Sequence, residues 1–387
     1  MVEDSESTLA LEETTAMETK DRRLQDRNTC IHKKNGSKQL KKWKRKIYNK
    51  DDGGTGKYRL VSYDELPEYM KENEFLRKYY RSEWPLSHAF LSLFSWHNET
   101  INVWTHLLGF LLFFGLTLIH LRNMPQLFGF LRHLFPGSFR WKIAANVSSN
   151  PGNLLWITSP NNKLDQLTDT VTGILSGQPP PYSVAPLWPF LVFLAGSMLC
   201  LLTSSLCHLL CCHSRRLNLF LSRLDYAGIA VMIAASFFPP ISYAFLCTAQ
   251  WRLLYLSIIS ALGVLAVLSL LAPEATGGPY RAFRALLFTA MGLTGLVPAV
   301  HISVVNWSEA RRRETISCEA AMAVLYLVGT GFYVSRVPER WRPGKFDLVG
   351  HSHQMFHVFV VAGAIAHYEA ALLFLEWREE VGCGFSR

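Results

Sequence analysis

The stretch Gly350-His-Ser-His-Gln-Met-Phe-His357 opens the last apolar run of the chain, and the rest of the sequence is organised around it. Two of its imidazoles, His353 and His357, are four residues apart, so on a helix they lie on one face about one turn from each other. Two histidines at the mouth of a membrane helix are costly unless a partner holds them. A metal ion is the leading candidate, and it requires a third ligand from elsewhere in the chain.

The composition is that of a membrane protein. Of the 387 residues, 49% are hydrophobic and 13% are aromatic. Seven mostly apolar runs each have close to the ~20 residues that cross a bilayer. They span approximately 101–121, 187–210, 226–247, 253–272, 285–305, 316–334 and 354–375. The sequence therefore predicts an all-α, multi-pass integral membrane protein with seven transmembrane helices, in the plasma membrane or an endomembrane.

The cysteines and the net charge argue against a secreted disulfide-rich protein and against a nucleic-acid-binding protein. Four of the eight cysteines, Cys200, Cys207, Cys211 and Cys212, crowd one predicted helix, which favours buried free thiols over a secreted disulfide scaffold. The formal net charge of +9 is spread over the N-terminal arm and the loops. This distribution predicts contact with anionic membrane lipids, and nothing in it indicates binding of nucleic acid.

The chain divides into four predicted regions. They are a disordered basic arm (1–58), a cytosolic juxtamembrane segment (59–100), a seven-helix membrane domain (101–375) and a short C-terminal tail (376–387). A long loop at 122–186 interrupts the membrane domain. Within the juxtamembrane segment, the apolar residues of 63–81 have helical spacing, which predicts an amphipathic helix at the membrane surface, with Ser62 or Asp64 as its N-cap.

The charges around the first span indicate the orientation of the protein. Basic residues are equally numerous in the loops on the two sides, so the loops alone do not decide. Arg77, Lys78, Arg81 and the basic arm all precede the first span, which places the N-terminus in the cytosol. The sequons Asn146-Val-Ser148 and Asn306-Trp-Ser308 then face the opposite side. We expect a cytosolic N-terminus and a C-terminus on the other side.

Polar residues of three predicted spans fall on one membrane face. Because consecutive spans run in opposite directions, the end of the second span and the starts of the third and seventh meet on the same side. There His208 supplies the third nitrogen, with Ser204 one turn before it and Asp225 at the start of the third span. This convergence holds whichever way the protein is inserted.

Three histidines with an open fourth position are typical of a catalytic Zn²⁺ site. In such a site the metal acidifies a bound water, and a carboxylate such as Asp225 orients that water or moves its proton. Ser204 would hydrogen-bond the water or stabilise an oxyanion.

Two other interpretations of these residues stay open. The histidines could instead be hydrogen-bond partners in helix packing, and Cys207, Cys211, Cys212 and His213 could form a mixed thiolate site with His208. The segment Trp104-Thr105-His106 lies on the same side and is interpreted as packing. His301 and His367 fall nearer the other face.

These residues are also the ones by which the sequence resembles a known family. The motifs are Ser204-x-x-x-His208, Leu224-Asp225-Tyr226-x-Gly228-Ile229 and Ser352-His353-Gln354-x-Phe356-His357, extended by Leu66-Pro67-Glu68-Tyr69, Glu99 to His106 and Pro338-Glu339-Arg340-Trp341. They resemble the adiponectin and progestin receptor family over roughly residues 58–375. The sequences of the segments 212–220 and 337–344 are most similar to those of the plant heptahelical transmembrane proteins.

The resemblance implies a zinc ion held by His208, His353 and His357, with Asp225 on the metal-bound water. It also implies seven helices with a cytosolic N-terminus, and hydrolysis of a lipid amide of the ceramide type. For plant members it implies a role in abiotic stress or hormone responses. The 122–186 loop is much longer than in the adiponectin receptors, so their ligand recognition is not carried over.

We therefore expect a receptor-like signalling protein with a lipid or peptide ligand and with cytosolic partners that bind the N-terminal region. The alternative is a non-catalytic signalling or scaffold protein in which the zinc is structural.

Overall fold

The computed structural model describes residues 59–122, 185–272, 280–305, 309 and 311–383. The predicted arm at 1–58, almost all of the 122–186 loop and both sequons lie outside these residues. Among the described residues, regular secondary structure is helical, apart from one isolated bridge between Val61 and Tyr80. The predicted all-α class is confirmed.

Seven of the described helical segments are long and apolar enough to cross a bilayer, which confirms the predicted number. We number them as the first to seventh spans. They are Thr100–Arg122, Trp188–Leu210, Arg215–Ser236 continued by Phe238–Ala244, Ala249–Leu271, Arg281–Leu293 continued by Leu296–Val305, Arg312–Ser335 and Ser352–Val381. A short helix, Leu86–Leu91, and a 3-10 turn, Ser92–Phe94, precede the first span.

The third span begins at Arg215, well before the predicted start at 226. Ser214 is its N-cap, and the Ser214 hydroxyl accepts a hydrogen bond from the Leu217 amide at 3.4 Å. The prediction followed the apolar run and missed the polar turns before it. Asp225 therefore lies about three turns inside the helix rather than at its start. The seventh span also continues through Val381, so part of the predicted tail is helical.

The seventh span is central in the bundle. It contacts the first, second and sixth spans and the short helix Phe238–Ala244, while the second span packs between the first and the third. The second and third spans approach closely at Gly228, where a Cβ would lie 2.7 Å from Thr203 Oγ1 and 3.2 Å from the Cys200 Cα. Because Gly228 is one turn beyond Asp225, this close approach brings Asp225 next to the end of the second span.

The predicted amphipathic helix over 63–81 is wrong. The segment instead contains two 3-10 turns, Tyr63–Glu65 and Glu68–Met70, and its ends pair through Val61 N to Tyr80 O at 2.8 Å and Tyr80 N to Val61 O at 3.0 Å. Pro67 has no N–H for the bond that a continuous helix would require there. Of the apolar residues whose spacing indicated a helix, Leu66, Leu76 and Tyr80 are instead buried in one cluster with Val61.

This segment, residues 60–84, is called the cap. It docks on the loop 336–351 between the sixth and seventh spans, where Arg77 N donates to Asp347 Oδ1 at 2.9 Å. Asn73 Nδ2 donates to Glu339 Oε1 at 3.1 Å, and the same buried carboxylate accepts from Ser352 N at 2.7 Å. Glu339 thus satisfies an amide at the N-terminus of the seventh span. Cap and loop together fix the start of the helix that carries His353 and His357.

Candidate metal centre

Three histidines converge where the second and seventh spans meet. His353 Nε2 lies 3.2 Å from His208 Nε2 and 3.2 Å from His357 Nε2. The three ligand atoms all lie within 4.8 Å of one another. His208 and His357 are buried, and His353 is half-buried. Among the described residues, these three form the group that could hold a metal ion. The end of the bundle that carries them is called the histidine end.

Residues at the start of the first span accept hydrogen bonds from the Nδ1 atoms of two of these rings. His208 Nδ1 lies 2.8 Å from Glu99 Oε2, and His357 Nδ1 lies 3.2 Å from the Asn102 carbonyl oxygen. Asn102 Nδ2 donates to the same Glu99 oxygen at 2.5 Å. Because the carboxylate and the carbonyl are acceptors, each Nδ1 donates, which leaves both Nε2 lone pairs free for a metal.

The charge of Glu99 suits this role. Burial by itself would raise the pKa of the Glu99 carboxyl, but the adjacent His208 imidazole holds that pKa well below its ordinary value. Glu99 is therefore ionised, and its bond to His208 is a charge-assisted one.

His106 also lies at this centre, although not as a ligand. Its ring stacks on that of His357 with the centroids 3.7 Å apart and the planes within 12°. The predicted packing role of His106 agrees with this contact. The stacking restrains the plane of the His357 ring.

Asp225 and Ser204 lie beside the three histidines. A cavity of about 140 Å³ is lined by His208, His353 and Asp225, together with Arg284, Tyr226 and Tyr333. Ser204 is buried one turn before His208, and its hydroxyl is a hydrogen-bond partner of the Asp225 side chain. The structure thus brings together all five of the predicted site residues.

Arg81 anchors the second span at the point where it presents His208. Its guanidinium is buried and donates to the carbonyl oxygens of His208 at 2.6 Å and Leu209 at 2.9 Å. These carbonyls lie in the last turn of the helix, where a cation is favourable.

The residues of the alternative thiolate site, Cys207, Cys211, Cys212 and His213, are not part of the histidine group. His213 Nδ1 lies 2.9 Å from the Trp84 carbonyl oxygen, and the Cys207 thiol faces Ser222. His301 pairs with Tyr255 and His367 with Glu319, away from the site. The crowded cysteines are free, as predicted, but a disulfide between Cys247 and Cys383 was not predicted.

Glu99 and Asn102 are the site residues that the sequence reasoning missed. Their signal was available, because they are three residues apart at the start of the first span and therefore share one helix face at the histidine end. In the sequence analysis they appear only within the motif Glu99 to His106.

Comparison with known proteins identifies the family of this chain. The family described as haemolysin-III related matches residues 94–368. The heptahelical transmembrane protein ADIPOR1 of Oryza sativa subsp. japonica is 57% identical over 330 residues, which cover 84% of this chain and 86% of the relative. Heptahelical transmembrane protein 1 of Arabidopsis thaliana is 50% identical, over 84% of this chain and 83% of its own.

A more distant relative, the adiponectin receptor protein of Drosophila melanogaster, is 32% identical over 86% of this chain and 62% of its own. The resemblance seen in the motifs is therefore confirmed over the whole bundle. This chain belongs to the haemolysin-III-related family and is an integral, multi-pass membrane protein of the adiponectin-receptor-like, heptahelical type.

Proposed function

We propose that this protein is a receptor-like membrane protein whose His208, His353 and His357 hold a zinc ion, and that its cavity hydrolyses a lipid amide of the ceramide type. The observation that carries the proposal is the convergence of three Nε2 atoms beside a buried carboxylate.

The spacing of the histidines suits zinc. Two nitrogens bound to one tetrahedral zinc at about 2.0–2.1 Å are about 3.3 Å apart. The two Nε2 separations of 3.2 Å match that value. Neutral imidazoles whose Nδ1 atoms donate to a carboxylate or carbonyl are the usual form of a histidine ligand of zinc.

Asp225 and Ser204 provide the proton chemistry. A zinc ion held by the histidines supplies Lewis acidity, which makes water acidic near neutral pH and polarises a carbonyl. The Asp225 carboxylate faces the cavity and is placed to accept a proton from water there and to return it to the leaving amine. Ser204 holds that carboxylate in place through its hydroxyl.

The number of ligands favours the catalytic interpretation over structural zinc. Structural sites use four protein ligands, whereas catalytic sites use three and keep one position for water or substrate. Among the described residues no fourth histidine, thiolate or carboxylate joins the group. The cavity beside the three histidines supplies the room that an open position requires.

The signalling role rests on the relatives. One of them is named as an adiponectin receptor protein, which supports a receptor function that responds to a lipid or peptide ligand. We extend this to cytosolic partners that bind the N-terminal region and to a role in stress or hormone responses, as the likeness to plant relatives suggests.

We further propose that the histidine end faces the cytosol. The disulfide between Cys247 and Cys383 lies at the other end, and disulfides persist in oxidising compartments. The free thiols Cys211 and Cys212 lie at the histidine end.

The orientation is tested with tags at both termini in sealed microsomes whose cytosolic face is outward. We expect protease to remove the N-terminal tag and to spare the C-terminal tag until detergent opens the vesicles. A protected N-terminal tag would refute the orientation.

Zinc content tests the ligand assignment. The purified full chain should contain about one zinc per molecule, and His353→Ala or His357→Ala should abolish it, because two remaining ligands leave the ion under-coordinated. Elemental analysis gives the stoichiometry. His301→Ala, which alters a histidine paired with Tyr255 outside the site, should keep its zinc. An unchanged zinc stoichiometry in both ligand variants would contradict the assignment of His353 and His357 as ligands.

Glu99→Gln should weaken zinc binding about 10–100-fold, since the amide can still accept from His208 but carries no charge. Competition with a chelator of known affinity measures the change. Glu68→Gln alters an exposed carboxylate in the cap and should bind zinc as the natural protein does. Equal affinities in the two variants would show that Glu99 does not tune the ligand.

Asp225→Asn separates proton transfer from metal binding. The substitution keeps the shape of the side chain and should retain the zinc, while turnover of a ceramide-type amide should fall by about 10²–10⁴-fold, the usual effect of losing an acid–base group. Asp64→Asn, at an exposed position, serves as the matched control. Unchanged turnover with zinc still bound would favour structural zinc.

A further inference from the structure

The short helix Leu86–Leu91 and the residues that follow it carry their apolar side chains outward. Phe90 is 52% exposed, Leu91 66%, Phe94 80% and Trp96 65%. On the inward side of the same segment, Ala89 and Ser92 are buried, as are His97 and Asn98 just beyond it. A segment with polar groups inside and aromatic rings outside is the reverse of a water-facing surface element. Residues 86–96 are called the wedge.

The inward side of the wedge is held rigidly. Ser92 Oγ accepts from Arg81 Nη1 at 2.5 Å, and the same guanidinium binds the end of the second span. His97 Nε2 lies 3.2 Å from the Ser92 carbonyl oxygen. The wedge therefore cannot turn its apolar side chains inward without giving up hydrogen bonds of buried groups.

The outward side is continuous with the membrane-facing surface of the first span. Trp104 Nε1 donates to the Leu93 carbonyl oxygen at 2.9 Å, and the Phe94 ring meets the Trp104 ring edge-on with the centroids 6.3 Å apart. Trp96 is four residues before Thr100, where the first span begins, so at most about 14 Å of chain separates it from the bilayer. Farther along this span, Leu108 and Leu111 are exposed on the surface of the bundle.

We propose that the wedge is inserted into the lipid leaflet at the histidine end, with Phe90, Leu91, Phe94 and Trp96 at the boundary between headgroups and acyl chains. Aromatic residues are favoured at that depth, because their rings are apolar and their edges tolerate water. Within the part of the chain that the structure describes, the wedge rather than the 63–81 segment is then an interfacial element. It extends the membrane contact of the protein beyond the seven spans.

Photo-crosslinking in the full-length protein tests the proposal. Benzoylphenylalanine is placed at position 94, at Leu111 as a position inside the bilayer, or at the exposed Glu68 in the cap. Each protein is irradiated in nanodiscs of phosphatidylcholine and phosphatidylserine and in native membranes. Mass spectrometry then identifies the adducts. Because Phe94 is 80% exposed, we expect its replacement to leave the fold intact.

Phospholipid adducts at position 94 should approach the yield at position 111 and exceed that at position 68 severalfold, in nanodiscs and native membranes alike. A yield of phospholipid adducts at position 94 no higher than that at position 68 would overturn the proposal. Capture of a protein at position 94 in native membranes, with little lipid adduct, would identify a docking surface for a partner and would also overturn it.

Discussion

The bond between the Glu99 carboxylate and His208 Nδ1 is the contact on which the arrangement of the three histidines depends. It joins the first span to the second at 2.8 Å and fixes which nitrogen of His208 faces the cavity. One turn along, Asn102 both donates to that carboxylate and presents its carbonyl to His357. A single helical turn thus orients histidines on two other spans, because residues three apart share one helix face.

Several charged side chains are buried at the histidine end, and the surrounding structure compensates for the cost of burying them. A buried charge is tolerated when its partners satisfy it, and each of the large buried charges at the histidine end has such partners. Arg81 binds the end of the second span, and Glu339 binds the start of the seventh. Arg284 is buried with its guanidinium 4.2 Å from the centre of the Tyr226 ring and 3.0 Å from the Tyr333 hydroxyl. The helix ends that carry the histidines are therefore anchored on both sides.

The two ends of the bundle are stabilised differently. At the histidine end, polar contacts that are buried or partly buried join the cap, the loop 336–351 and the starts of the first and seventh spans. At the other end, the Cys247–Cys383 disulfide joins the region after the third span to the end of the seventh, and Arg311 pairs with Glu376 and Glu380. The cavity that His208 and His353 line lies at the histidine end.

The sequence by itself determined the class, the number of spans and the three histidines. Span length and hydropathy are local properties, and the alternating direction of the spans is enough to bring His208, Asp225 and His353 to one membrane face. Local pattern failed where tertiary contacts compete with it. The apolar spacing of 63–81 suited a helix, yet Pro67 and the Val61–Tyr80 pairing make the segment a compact cap. Only the tertiary structure decided that Glu99 faces His208, since these residues are 109 positions apart and their contact depends on how the first two spans pack. It likewise decided that the apolar residues of 86–96 point outward, because the buried guanidinium of Arg81 holds the polar side of that segment against the bundle.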